Sequence, residues 1–290
     1  MTDIALTLVL FSGFAHAFWN LLLKRSDNQE IFVWWIQITQ IILLSPLALY
    51  LIMNEGIQAE GWWFILGTSV IHILYFVFLS RGYMNADFSL VYPIARGMGP
   101  ALIPILGVIF LKETVSELAI WGIVTIIAGI FTVYWWGHLF EITKNFKKII
   151  KDRGIRYALL TGITIAAYSV WDKVGIQYVD PLLYMYMLAL GTAVGLLPYI
   201  FLKYAVGAVK KELVLNKTPI LFAGILVFIA YGSVLSAMQL SNVSYVAPAR
   251  EIGIVYSVIL ARVALGEHLN MGRVLGSLAI ISGVFLIAIG

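Results

Sequence analysis

The chain has 290 residues, 61% of them hydrophobic and 12% charged, with a mean hydropathy of +0.95. That balance excludes an ordinary soluble domain. The pI near 9.1 therefore needs an explanation other than nucleic-acid binding, and the lack of cysteine excludes disulfides and thiolate metal sites.

Apolar runs close to the roughly 20 residues that cross a bilayer predict ten helices, near residues 4–23, 31–53, 62–80, 88–111, 118–137, 157–177, 182–202, 219–240, 245–265 and 273–290. The expected fold class is an all-α, multi-pass membrane protein. The first run reads as a retained span, since no basic leader precedes it and "HAFWNLLLK" follows where a cleavage site would stand. It carries His16, Trp19 and Asn20. Trp34, Trp35, Trp62, Trp63, Trp135 and Trp136 fall near span ends and read as an interfacial aromatic belt. The third run holds His72 and Tyr75 well inside. The fourth, "VYPIARGMGPALIPI" at 91–105, sets Arg96 among Pro93, Pro100, Pro104, Gly97 and Gly99. A cation there costs on the order of 3 kcal/mol even on lenient scales, and prolines remove backbone donors and favour kinks. Such a segment is tolerated where it lines a cavity or the protein interior, so it is a candidate site.

The central stretch "EITKNFKKIIKDRGIRY" is the densest charge cluster and reads as an anchor on anionic headgroups. If ten spans alternate, the odd-numbered loops hold Lys24, Arg25, Arg81, Lys144, Lys147, Lys148, Lys151, Arg153, Arg156, Lys203, Lys210, Lys211, Lys217 and Arg273, fourteen of 19 basic residues. Even-numbered loops hold Lys112 and Lys173. The positive-inside rule then puts the odd loops in the cytoplasm and both termini outside.

A shift of 154 residues brings Arg96 onto Arg250, Leu111 onto Leu265, Glu113 onto Glu267, Gly122 onto Gly276 and Gly129 onto Gly283. A shift of 156 pairs "YFVFLS" with "YGSVLS", and one of 152 pairs Trp19 with Trp171. The chain therefore divides into a first repeat over 1–137, a basic linker over 138–156 and a second repeat over 157–290. With five spans each, the copies enter the membrane in opposite senses, the inverted plan of secondary transporters with a site near the midplane. Arg96 and Arg250 then approach that midplane from opposite sides.

"HAFWNLLLK", "VYPIARGMGPALIPILGVIFLKETVS" and "APAREIGIVYSVILARVALGEHLNMGRVLGSLAIISGVFL" resemble the two EamA repeats of the drug/metabolite transporter (DMT) superfamily, over essentially the whole chain. The Pro-Ile-Ala-Arg-Gly form and the His-Ala-x-Trp-Asn opening resemble more narrowly a branch associated with phosphonate utilisation. The resemblance implies a central pathway lined mainly by the first, third, fourth, sixth, eighth and ninth spans, with the fifth and tenth packed peripherally. Many members keep their termini inside, and the charge count here departs from that.

Arg96 and Arg250 lead the expected substrate contacts, because a guanidinium fork matches carboxylate, phosphate or phosphonate oxygens; an internal ion pair with Glu251 or Asp172 is the alternative. His16, Trp19, Asn20, Tyr75, Tyr92, Tyr168, Trp171 and Tyr231 complete the expected binding set. Asp172 and Glu251, with Lys173 nearby, are the candidates for proton coupling, unless Asp172 and Lys173 lie wet at the end of the sixth span. Glu113 and Glu267 read as turn organisers, and "GIVTIIAG" and "GSLAIISG" as small-residue packing faces.

No pair of histidines has metal-ligand spacing, no nucleotide-binding loop is present, and no cofactor is expected. The partners expected are a small-molecule substrate, the lipid bilayer and protons, with no nucleic acid. The expected function is secondary-active transport of a small anionic or zwitterionic metabolite by alternating access, across a bacterial cytoplasmic membrane. The rivals are a broad-specificity exporter of drugs or amino acids and, in another class, a membrane-embedded enzyme or lipid-handling protein. Against an enzyme stands the lack of a nucleophile-and-base or metal constellation.

Overall fold

A computed structural model of the chain describes residues 1–86, 88–137 and 151–290, and among them the only regular secondary structure is helical. In chain order the helices are α1 (Asp3–Lys24), α2 (Gln29–Asn54), α3 (Ala59–Asn85), α4 (Phe88–Leu111), α5 (Glu117–Trp135), α6 (Arg153–Gly175), α7 (Pro181–Lys203), α8 (Val206–Leu240), α9 (Val243–Ala249), α10 (Ile252–Leu265) and α11 (Met271–Ile289).

Local chemistry sets the helix starts. Thr2, Asn28, Ser116, Asp152, Asp180 and Asn270 each accept a backbone N–H from the first turn of the following helix, satisfying donors that would otherwise be orphaned. Pro181 adds a preset φ at the first position of α7. At the far ends of α4 and α10, Lys112 and Gly266 take left-handed φ of 56° and 68°, and the next amides, Glu113 and Glu267, bond back to Gly107 and Ala261. The two turns are repeat mates and share one geometry.

Nine spans among the described residues are long and apolar enough to cross a membrane, α9 and α10 counting together as one. The remaining helix, α6, falls short because it carries Arg153, Arg156, Asp172 and Lys173. Its packing makes it the tenth span. It lies along α3 and α4, as α1 lies along α8 and α10. Likewise α2 meets α7, α3 meets α7 as α8 meets α2, and α5 meets α11. Each pairing maps onto another, or onto itself, when the halves are exchanged. This is a multi-pass membrane protein built of two inverted five-span repeats.

The α5–α11 seam shows the inversion directly. A Cβ on Gly122 would stand 2.6 Å from the Gly283 carbonyl oxygen, and one on Gly129 would stand 2.8 Å from that of Gly276. The order is reversed between the helices, so they run antiparallel. Only glycine lets the backbones approach this closely.

Three features differ from the sequence-based expectation. The eighth helix starts at Val206 rather than near 219, because the lysines that interrupt its hydropathy lie on a helical lead-in that bends at Asn216 (φ −116°, ψ 22°). The fourth span runs unbroken through its three prolines. It is the ninth that breaks, at Arg250 and Glu251, where the amides of Glu251, Gly253 and Ile254 bond three residues back instead of four. This tight turn keeps most of its amides bonded while it re-aims two charged side chains. Trp34 is also not part of an interfacial belt: it is 6% exposed and its Nε1 donates to the Ala193 carbonyl of α7. Trp62 and Trp63 are exposed as expected. Of the expected linker, residues 138–150 lie outside the described residues, and its last four residues, from Arg153, already form the start of α6.

Candidate functional site

Arg96 and Arg250 come from repeat-related spans and share the protein interior, 9% and 7% exposed. Their circumstances differ. Arg96 Nη2 stands 2.9 Å from Glu251 Oε2, with the two side chains 10% and 3% exposed. The contact is ionic rather than an aligned hydrogen bond, since Glu251 Oε2 and Arg96 Nε have no hydrogen-bond partner. Arg250 has no carboxylate of the described residues in salt-bridge range, and its buried Nε is also unpartnered. Its guanidinium carbon lies 6.0 Å from the centroid of the Tyr231 ring, a cation–π distance.

The repeat explains the asymmetry. Under the 154-residue shift the mate of Glu251 is Gly97, so the acid that Arg96 meets has no counterpart for Arg250. Close by, α1 crosses the break in the ninth span: a Cβ on Gly13 would be 3.1 Å from the Gly253 nitrogen. Two side chains there would force these helices apart.

Asp172 is likewise buried, 0% exposed. It is not wet at a span end, because three helices close over it. Tyr184 of α7 donates to Oδ1 at 2.8 Å and Tyr231 of α8 to Oδ2 at 2.5 Å. Thr68 of α3 stands between Asp172 and the His72 ring, its Oγ1 3.1 Å from His72 Nδ1. His72 stacks on Tyr168 with ring centroids 4.3 Å apart and meets Tyr231 edge-on at 5.9 Å. Under the 152-residue shift the mate of Asp172 is Asn20. Glu251 and Asp172 thus both belong to the second repeat.

The other expected residues divide. Tyr75, Tyr168 and Tyr231 join the cluster, with Tyr75 and Tyr168 edge to face at 6.0 Å. Tyr92 reaches Arg96 electrostatically and packs against Tyr134. His16 lies within electrostatic reach of both arginines and accepts from Trp19 Nε1 at 3.2 Å. Trp19 itself packs on the α2–α8 side with Phe32 and Ile220. Asn20 turns back to the His16 carbonyl at 2.7 Å. The structure does not bring Trp171 to the cluster: its ring fills the space over Gly67, its Nε1 donates to the Phe64 carbonyl, and it remains 37% exposed. It lies one helical step round from Asp172 and wedges α6 onto α3.

Lys173 is also placed differently from the relay role. It donates to the Met238 and Ser241 carbonyls at the end of α8, neutralising that helix terminus. Glu113 receives the Val243 and Ser244 amides at 2.8 and 3.0 Å at the start of α9. Glu267 is bonded by Lys24 at 2.8 Å and by Arg273 at 3.0 Å, and these hydrogen bonds hold its carboxyl below the usual carboxylate value. Glu267 thus ties the turn into α11 to α1, whereas the Glu113 side chain caps α9 of the other repeat rather than the turn into α5. Sequence reasoning missed Tyr184 and Thr68. Tyr184 sits on a span that the resemblance leaves outside the pathway, and Thr68 carries no charge to mark it.

With two repeats packed through a pseudo-two-fold around buried charges, the chain is comparable with known families. The model of the EamA-like transporter family matches residues 3–135 and 152–289, one repeat each. The chain belongs to the EamA-like transporter family. The family lies in the DMT superfamily, and its members are transporters. Among solved structures, one described only as "Crystal structure of protein" superposes with a TM-score of 0.76 at 16% identity, covering 100% of this chain and 98% of that one. At that identity the likeness concerns the fold. No curated protein sequence matches the chain. Among the described residues no group of three or more His, Asp or Glu is placed to hold a metal ion.

Proposed function

We propose that the protein is a secondary-active transporter of a small organic anion or zwitterion, with Arg250 as the anchor for the acidic group. The observation that carries this reading is the unequal state of the two arginines. Arg96 has Glu251 in direct contact, whereas Arg250 is buried among Tyr231, Tyr168 and His72 with no carboxylate of the described residues in salt-bridge range, Glu251 reaching it only at longer distance. A buried cation is stabilised by a carboxylate or phosphonate arriving from outside, and its fork of donors favours a planar or tetrahedral oxyanion. A zwitterion's ammonium group would find Glu251, one residue along the same turn. The aromatic walls suit a small apolar body.

Transport proceeds by alternating access, the two halves, 1–137 and 157–290 joined by the basic linker 138–156, rocking about the charged centre. The imbalance of basic residues between loops supports termini outside the cytoplasm. Asp172 is the acid best placed to carry a coupled proton, because it is sealed from water yet next to Arg250's aromatic partner. The test is a thermal-shift screen of the purified protein against small anions, zwitterions, amines and neutral metabolites, since a ligand stabilises the state it binds. Ligands with an acidic group should raise the melting temperature. Stabilisation by amines or neutral compounds alone would refute the anion reading.

A further inference from the structure

We propose that Tyr231 is the link that makes anion binding at Arg250 and proton binding at Asp172 a single coupled event, an inference that rests on the reading of Arg250 as the anion anchor. One side chain touches both groups. Its hydroxyl bonds Asp172 Oδ2 at 2.5 Å, and its ring carries the Arg250 guanidinium at 6.0 Å.

The groups facing Asp172 come from four helices: Thr68 and His72 from α3, Tyr184 from α7, Tyr231 from α8 and Tyr168 from α6 itself, with Arg250 beyond Tyr231. The two tyrosines that hold the carboxylate are not equivalent. Tyr184 has a second acceptor, the Phe64 carbonyl at 3.2 Å, so its proton can turn there without any movement of the ring. Among the described residues the Tyr231 hydroxyl bonds Asp172 alone. Its oxygen separation lies in the range of about 2.5–2.7 Å typical of a hydroxyl on an ionised carboxylate.

The consequences follow in order. With Asp172 ionised, the Tyr231 hydroxyl is held by a charge-assisted bond and its ring is pinned beneath Arg250. When a proton reaches Asp172, the carboxyl becomes neutral and that bond loses its charge assistance. The proton Tyr184 was donating moves to the Phe64 carbonyl, and the new carboxylic O–H donates to the Tyr184 oxygen. Tyr231 is then free to tilt, and Arg250 loses its aromatic seat. It is left ready for an incoming anion. In reverse, an anion that draws the guanidinium off the ring loosens Tyr231 and favours the proton on Asp172. Linkage requires that the two effects be equal.

The first repeat lacks this device. Tyr75 is the mate of Tyr231, but the mate of Asp172 is Asn20, whose amide is spent on its own helix. The coupled path therefore runs only on the Arg250 side.

The experiment measures dissociation constants of three probes, lactate, L-alanine and methylphosphonate, on the purified full-length protein by calorimetry at alkaline and at mildly acidic pH. In wild type the tightest probe should bind about tenfold more tightly at acidic pH, within the usual range of coupling. Tyr231→Phe, whose ring Asp172 no longer holds, should lose most of the pH response. Asp172→Asn should be independent of pH. Should Asp172→Asn keep the full response, the titrating group is His16, His72 or Glu251 and the link is refuted. Should Tyr231→Phe keep it, Asp172 acts without the tyrosine and the link is refuted while the anchor stands. If no probe binds wild type, the anchor fails first and the link with it. Proton uptake in weakly buffered wild type is independent of how the variants fold: addition of the probe should draw protons onto the protein, and none taken up would overturn the proposal.

Discussion

Replacing Glu251→Gln removes the charge of one partner of the interior ion pair while keeping its shape. In the wild type, Arg96 Nη2 and Glu251 Oε2 are 2.9 Å apart, at side-chain exposures of 10% and 3%. Removing one partner of a buried pair costs about 3–5 kcal/mol, because the other charge is left uncompensated. Two features place this case at or below the low end: the contact is not an aligned hydrogen bond, and glutamine retains a dipole facing Arg96. A loss of about 2–3 kcal/mol is expected, which for a chain of this size lowers the melting temperature by about 5 °C or more. Tryptophan fluorescence during thermal unfolding of the purified variant reads this directly. The same variant frees a second guanidinium, so an anionic ligand should raise its melting temperature by more than it raises that of wild type. An unliganded variant that melts with wild type, and gains no more from the ligand, would refute the reasoning that Arg96 depends on Glu251.

At the α5–α11 seam, Gly129→Leu should destabilise by about 1–3 kcal/mol through overpacking. Gly207→Leu, at a position with nothing within 4 Å of a new Cβ, should be neutral; melting temperatures of the two decide. The bonds that depress the Glu267 carboxyl stabilise the fold above its ordinary value of 4.5 and fade as pH falls through its lower folded value. Lys24→Ala should therefore cost under about 1 kcal/mol near neutral pH and nothing in acid, as melting curves across that range would show. A C-terminal reporter active only in the cytoplasm should stay silent, in keeping with basic residues concentrated in odd loops; strong activity would reverse the orientation.

The fold was legible because hydropathy marks spans by length, and because matched arginines, glutamates and glycines 154 residues apart expose the repeat. Where backbone and side-chain geometry decide, the reading was coarser. Three prolines pointed to α4 as the broken helix, yet each proline removes only one donor and α4 carries them all. The break came instead at Arg250 and Glu251, beside a single proline, where the backbone tightens to three-residue bonds. The Arg96–Glu251 pair was foreseen as an alternative to a joint arginine clamp. The unequal state of the arginines was also latent in the sequence, in the pairing of Glu251 with Gly97 and of Asp172 with Asn20. The clasp on Asp172 was not, since Tyr184 and Thr68 reach it from helices whose rotation only packing fixes. Trp171 failed to join the cluster for the same reason: adjacent positions on a helix face about 100° apart.

The anchor itself is tested most directly by titrating the best acidic ligand from the thermal-shift screen into wild type, Arg250→Lys and Arg96→Lys, each confirmed monodisperse. Lysine keeps the charge but loses the planar fork, so Arg250→Lys should weaken binding by about 1–3 kcal/mol with little change in unliganded melting temperature. Arg96→Lys should act mainly on stability, through Glu251. Unchanged affinity in Arg250→Lys alongside a clear fall in its melting temperature would contradict the account and leave Arg250 as part of the scaffold.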